Sequence, residues 1–562
     1  MKDNLKIVKW VSKPLTISFI AVQMLVGSTP LFAHNEQNNA QHEHGQHGNR
    51  DERECKPAEN VKLQILGIND LHGQLDTTSD FGSGPVGRAD YLAAYLKQRK
   101  AQNPNTLLVH GGDSVGASAP VSSMERDKPT MEFMNMMHFD VGTLGNHEFD
   151  QGIAALKAQI YGGRDPIKPE VVYNKAEFPY INANAIDSVT KKPLFKPYII
   201  KEMAGVKVGF IGVVTMATVQ KVSPDALKGV TLVDQAPVVN KAVQELKRKG
   251  VHAIVVLAHD PASVNKAGVA SGEAVDLANA VDPEVDVIFA GDNHAKVNTV
   301  VNNKLIVEAY SYGTAFADID LEIDRRTGDI VKKQAEIVDV KQIGITPDSE
   351  VTALINKYLN KFPQLKQPVG ITDAPITRTD AYTKEAALGN LIADSMRDDM
   401  NADFAFMNPG GIRADLPKGP VTYADLAKVQ PFGNNLTKMT LTGAQIRKLL
   451  QQQWSAVSAD TKTLQISGLK YTADFSKPLA DRVTTITKTD GTPIDDFKEY
   501  TVVVNNFMAA GGDNYKVLVE GTNRLVGRTD LEALYDYLMK TFKGGKIMAA
   551  IEGRITNLNV TP

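Results

Sequence analysis

The strongest constraint in this chain is a repeated local pattern. From Val61 onward, short runs of β-prone residues end in Gly, Asn, Asp or His. The runs are VKLQILGIND (61–70), NTLLVHGGD (105–113), FDVGTLGNHE (139–148), GVKVGFIGVV (205–214), HAIVVLAHD (252–260) and DVIFAGDNH (286–294). Runs this short, bounded by turn residues, read as strands. Stretches between them, such as Val86–Lys100 and Ala236–Gly250, have helical spacing. The alternation predicts an α/β region through about residue 340. Polar, chemically capable residues repeatedly sit just past a strand end, and loops on a rigid sheet are where sites are commonly built.

The segment TPDSEVTALINKYLNKFPQLK (346–366) breaks the pattern. Thr346-Pro347-Asp348 is a helix start, Val351, Leu354, Ile355 and Leu359 fall at helical spacing, and Pro363 is a stop. Residues 341–366 are therefore expected to hold an interdomain helix, able to act as a hinge. A second region, 367–562, has helices of its own (Glu385–Met400) and strands (Tyr500–Asn505). A length of 562 residues agrees with more than one domain.

The N-terminus reads as an address. Lys2, Lys6, Lys9 and Lys13 precede an apolar run, Pro14 to Ala33, that ends in a small residue. This is the pattern of a cleaved secretory signal over 1–33, and polar residues within the run argue against a retained anchor. Residues 34–60 are polar, contain His34, His42, His44 and His47, and are expected to form a disordered His-rich linker. Cys55 is the one cysteine, so neither a disulfide framework nor a CxxC zinc module is available. Removal of 1–33 takes four lysines and one aspartate, moving the net charge from −3 to −6. That balance disfavours a nucleic-acid partner. The expected product is exported, periplasmic or extracellular, monomeric and without a stable membrane anchor.

Five strand ends together supply a chemical constellation. Asp70 and His72 are two apart, so both can point the same way from an extended segment. Asp113 follows two glycines. Asn146 and His147 follow Gly145, His259 ends a strand, and Asp292 and His294 end the last. Singly, each has a plainer reading as a turn former, a cap or a structural imidazole. Together, hard oxygen donors with imidazole suit Zn, Mn, Fe or Co and need no thiolate.

The ordered elements D-x-H, GD, GNHE, H and G-x-x-H resemble the calcineurin-like metallophosphoesterases. NPGGIRADL (408–416), PFGNNL (431–436) and NNFMAAGGDNY (505–515) are similar to the C-terminal domain of the 5′-nucleotidase family. The resemblance runs from about Leu63 to Val560. It implies a four-layer α/β/β/α sandwich over 61–340 and an α/β substrate-binding domain over 367–562. It also implies two divalent ions, Zn, Mn, Co or Mg. Asp70, His72 and His294 would hold the first ion, Asp113 would bridge, and Asn146, His259 and Asp292 would hold the second. His147 matches the family's catalytic histidine and Asp150 the residue that orients it. Two such ions polarise a phosphoryl oxygen and activate a water for in-line attack. One departure stands out: the family's G-H-x-H is Gly291-Asp292-Asn293-His294 here. A carboxylate can replace the imidazole, adds a negative charge and shifts preference towards Mn or Mg; if it does not ligate, a weakened or single-metal enzyme results.

In the second region the resemblance assigns substrate contacts to Asn408, Arg413, Phe432, Asn434, Gly468, Phe507 and Asp513. Arg413 offers a planar fork for phosphate. Phe432 and Phe507 match the aromatics that clamp the base, and Asp513 the acceptor of ribose hydroxyls. Where family members carry further arginines, this chain has Tyr382 and Lys384, with Arg378 upstream. The expected activity is hydrolysis of nucleoside 5′-phosphates. A 2′,3′-cyclic-nucleotide phosphodiesterase, a nucleotide pyrophosphatase and a non-catalytic metal- or nucleoside-binding surface protein are the alternatives.

Overall fold

The computed structural model of the chain describes residues 60–82, 84–454 and 461–560. The expected signal segment, the His-rich linker up to residue 59 and Cys55 lie outside the described residues.

Two six-stranded sheets form the first half. In one, four parallel strands run in the order Val61–Ile68, Thr106–His110, Val141–Thr143 and Tyr180–Ile181. Ala315–Ile323 and Ile330–Asp339 extend it antiparallel beyond Val61–Ile68. In the other, Val206–Val214, Ala253–His259, Val285–Phe289 and Lys304–Ala309 are parallel, with antiparallel edges Tyr198–Met203 and Lys296–Val301. Both faces of these strands are apolar because both are covered. Leu63, Ile65, Leu107 and Val109 of the first sheet meet Phe210, Val255, Val287 and Val307 of the second in one buried cluster.

Helices cover the outer faces. In Ala89–Gln102 the buried Ala89, Leu92, Ala93 and Leu96 follow helical spacing and pack on the first sheet. Val239, Ala242, Val243 and Leu246 of Gln235–Lys247 do the same for the second. The result is the four-layer α/β/β/α sandwich expected from the resemblance.

The helix expected near 346–366 is Ser349–Lys361, followed by a 3₁₀ turn at Pro363–Lys366. Asp348 caps it by accepting from the Glu350 and Val351 amides. Val351, Leu354, Ile355 and Tyr358 are buried in the first half's core. Each contributes on the order of 2 kcal/mol. The pairs Lys97–Asp348, Lys357–Glu132 and Lys361–Glu125, whose lysines are exposed, add little beside that. The helix is thus fastened to the first half along its length.

The second half holds a five-stranded sheet in the order Gln465–Ser467, Phe404–Met407, Glu499–Asn505, Asn435–Thr442 and Thr522–Thr529. A three-stranded sheet (Val483–Lys488, Leu469–Asp474, Ile555–Leu558) lies beside it. Helices Ala387–Met400 and Asp530–Phe542 bury one face of the larger sheet, and Gly443–Gln451 the other. No helix among the described residues is long and apolar enough to cross a membrane.

Candidate metal centre and nucleotide cleft

The C-terminal ends of the parallel strands bring the predicted ligands together. Asp70 and His72 follow Val61–Ile68, Asp113 follows Thr106–His110, and Asn146 follows Val141–Thr143. His259 closes its strand, and Asp292 and His294 follow Val285–Phe289. Carboxyl ends of parallel strands are the usual place for ligand sites in open α/β sheets. Asp70, His72, Asp113, Asp292 and His294 all have positive φ, between 48° and 79°. Non-glycine residues adopt this region at an energetic cost, and such strain concentrates at functional sites.

Glycines make the convergence possible. A Cβ on Gly145 would lie 2.1 Å from Asp113 Oδ1, and one on Gly112 (φ 94°) 2.6 Å from the Gly145 nitrogen. Glu148 ties the same loops by accepting from the amides of Asp113, Ser114 and Gly145.

Two groups of ligand atoms result. His72 Nε2 lies 3.8 Å from Asp70 Oδ1 and 3.6 Å from Asp113 Oδ2, and His294 Nε2 lies 3.5 Å from Asp70 Oδ1. His259 Nε2 lies 3.2 Å from Asp113 Oδ2, 3.9 Å from Asp70 Oδ1 and 3.8 Å from Asp292 Oδ1. Two donors on one ion with bonds near 2.1 Å lie roughly 3–3.5 Å apart; these separations meet that range or exceed it by a few tenths.

The donor set passes a further test. His72 Nε2, His259 Nε2 and Asn146 Oδ1 are buried without a hydrogen-bond partner. Orphaned polar atoms are costly unless something binds them. The other ring nitrogens are engaged, His72 Nδ1 with Gly116 O at 2.8 Å and His259 Nδ1 with Gly111 O at 2.9 Å. This orientation aims both Nε2 atoms at the carboxylates, as outer-sphere carbonyls do for metal-binding histidines. Burial lowers His72 to about 3, so its imidazole is neutral and able to ligate. Burial opposes ionisation of Asp113, but His259 and His147 outweigh it and hold Asp113 well below the usual carboxylate range.

His147 lies beside the cluster, its Nδ1 2.7 Å from Asp150 Oδ2. Burial works against its protonation, but the carboxylates of Asp150 and Asp113 prevail and raise its pKa. Its ring stacks on Phe432 of the second half, with centroids 5.7 Å apart.

Phe432 belongs to a cleft of about 810 Å³ between the halves. His72, Asp113, Asn146, His147, Asp292 and His294 line one wall. Asn408, Arg413, Phe432, Asn434, Phe507 and Asp513 line the other. Arg413 Cζ sits 5.9 Å from the Phe432 ring centre, and its Nε is buried without a partner. Asp513 accepts from Asn408 Nδ2 at 2.7 Å and pairs with Lys462 at 2.9 Å. Arg378 and Tyr382 also face the cleft, while Lys384 is exposed and pairs with Asp380.

One expected contact is not brought to the cleft. Gly468 lies at the junction of Gln465–Ser467 and Leu469–Asp474 with φ 86°, where a Cβ would meet Asp403 O at 2.2 Å. Its glycine is explained by that backbone approach. Conversely, sequence reasoning missed Lys221. This residue ends the one-turn helix Thr218–Lys221, and its ammonium touches both carboxylate oxygens of Asp292. Lys462 and Tyr312 were missed as well. Tyr312 sets its ring edge-on to His72 and His294. No spacing signal connects these residues to their partners; Glu148 was visible inside GNHE but suggested no clamp.

Comparison with known proteins agrees with this geometry. Residues 63–296 match the family model for calcineurin-like phosphoesterase, and residues 365–520 that for the 5′-nucleotidase C-terminal domain. The chain is 45% identical to the endonuclease YhcR of Bacillus subtilis over 90% of its own length and 41% of that protein's. It is 36% identical to the cell wall protein Lmo0130 of Listeria monocytogenes, over 88% of this chain and 69% of that one. The crystal structure of a 5′-nucleotidase precursor from Thermus thermophilus superposes with a TM-score of 0.75 at 28% identity, covering 89% of this chain and all of that one. The chain thus spans less than half of the Bacillus relative.

Proposed function

The chain belongs to the 5′-nucleotidase family of calcineurin-like phosphoesterases, and we propose that it hydrolyses nucleoside 5′-phosphates to nucleoside and phosphate after export. One observation carries this reading. Two orphaned ligand atoms, His72 Nε2 and Asn146 Oδ1, belong to residues that line the same cleft as Arg413 and the aromatic rings of Phe432 and Phe507.

Divalent ions held by Asp70, His72, Asp113, Asn146, His259, Asp292 and His294 would polarise the phosphoryl group and lower the pKa of a water. The remaining work falls to the chain. Arg413 orients the phosphate through its planar fork. Phe507 and Phe432 hold the base by stacking, which tolerates any nucleobase. Asp513, oriented by Asn408 and Lys462, accepts from the ribose hydroxyls. His147, kept protonated by Asp150, donates to the oxygen on which charge develops. The N-terminal segment and the Listeria relative's name support export, and a cleft of about 810 Å³ supports a small substrate.

The Bacillus relative's name favours a second reading, cleavage of phosphodiesters. That protein is matched over 41% of its length, so its name does not say which part carries the activity. A substrate panel decides between the two. Full-length protein is given AMP, ADP, 2′,3′-cyclic AMP and single-stranded DNA, with Asp113→Ala as control. Phosphate release from AMP that vanishes in the control supports the nucleotidase; cleavage of the diesters alone replaces it with the second reading.

A further inference from the structure

Asp292 stands where the family has a neutral imidazole, and it does not stand alone. Its carboxylate is mostly buried, and the Lys221 ammonium contacts both of its oxygens. Its Oδ1 also faces the second group of ligand atoms, 3.8 Å from His259 Nε2. A carboxylate oxygen has two lone pairs, so an ammonium on one leaves the other for a cation. The backbone of Asp292 is fixed as well: φ is 79° and its amide donates to the Asp70 carboxylate at 3.1 Å.

The charges make the pairing consequential. Asp70 and Asp113 bring two negative charges to the centre. A histidine at 292 would add none, and an aspartate alone would add a third. Lys221 cancels it. We propose that Asp292 and Lys221 act as one neutral unit in place of the family's histidine. In this unit Asp292 supplies the ligand atom, and the positive charge of Lys221 sets the affinity of the second metal position. The proposal rests on the two-metal reading above. It assigns Lys221 a positioning role that no motif of this sequence indicates. The one-turn helix bearing Lys221 also packs against the Gly512–Asn514 turn that carries Asp513, so the unit sits where the metal wall meets the nucleoside wall.

The test is a cycle of full-length variants titrated with Mn²⁺ by calorimetry, with ions per chain counted by elemental analysis. Removing the neighbouring positive charge in Lys221→Met tightens the weaker Mn²⁺ by at least about tenfold, whereas Lys221→Arg stays within about threefold of the parent. Asp292→Asn leaves Lys221 as an uncompensated cation and weakens that ion by at least about tenfold. Asp292→His alone is weaker than Asp292→His combined with Lys221→Met by about tenfold, and the combined variant returns to within about threefold of the parent. Circular dichroism checks folding, and Lys221→Gln replaces any Lys221→Met protein that does not fold. Two ions per chain with affinities indifferent to Lys221 overturn this proposal alone. A parent protein that holds a single ion overturns it together with the two-metal reading.

Discussion

Adding one methyl group at Gly145 should silence the centre without unfolding the protein. The backbone of Gly145 is outside the left-handed region, so alanine meets no conformational penalty there. Its Cβ would lie 2.1 Å from Asp113 Oδ1 and 2.6 Å from the Asp113 nitrogen. Ordinary contact begins near 3.4 Å, so Asp113 or its loop must move by about 1 Å. Relieving such overpacking typically costs ~1–3 kcal/mol, small beside the extensive cores of this fold. Asp113, however, is the acceptor of the His147 amide at 2.8 Å and the carboxylate nearest both His259 and His72. A misplacement of ~1 Å at a reacting centre costs roughly 100-fold in rate. Gly145→Ala is therefore expected to melt cooperatively, close to the parent, while AMP turnover falls about 100-fold and bound Mn²⁺ drops. The assay pairs a thermal melt with phosphate release and ion counting on one preparation. Turnover within about threefold of the parent, with both ions retained, would refute Asp113 as the shared carboxylate.

Other expectations follow from the same geometry. Phe432→Ala removes one stacking face, worth ~1–3 kcal/mol per base, so KM for AMP should rise roughly tenfold while KM for p-nitrophenyl phosphate holds; an equal rise for both would count against base clamping. Arg413→Lys keeps the charge and loses the bidentate fork, and a rise of about tenfold in KM for AMP is expected from steady-state kinetics. Glu308 is fully buried, with one oxygen accepting the Ala295 amide and the other unpartnered, and burial pushes its pKa up to about 9. Its folded pKa lies above its unfolded value, so its contribution is complete below the unfolded pKa and is lost as pH rises towards about 9. Glu308→Gln should remove that slope, shifting relative stability by on the order of 2–3 kcal/mol between about pH 5 and about pH 7. Parallel stability curves for the two proteins would contradict it.

Much of the site was legible because it sits on strand ends. Each of Asp70, Asp113, Asn146, His259 and Asp292 follows an apolar run short enough to be a strand, so its position in the fold comes with its position in the chain. The helix capped by Asp348 and stopped before Pro363 was legible for the same local reasons. Its packing was not, because helical spacing shows that a face is buried but not against which half. Val351, Leu354, Ile355 and Tyr358 bind it to the first half, so any turning of the halves pivots after Lys361 and not within the helix. Gly468 lies away from the cleft lining, and a glycine required by the approach of Asp403 O looks, in one dimension, like a glycine required by a ligand. Lys221 was invisible because its partner lies 71 residues away and a lysine on a one-turn helix carries no pattern. Contacts between distant loops are set by the sandwich as a whole, and a single sequence does not encode them locally.

If these strand ends hold two ions facing a nucleotide cleft, anomalous diffraction at the manganese edge will show both, in crystals grown with Mn²⁺ and adenosine. The expected map has one peak among Asp70, His72, His294 and Asp113, a second among Asp113, Asn146, His259 and Asp292, and adenine density between Phe432 and Phe507. A single peak, or ions found only at the surface group His252, Glu284 and Asp329, would contradict it.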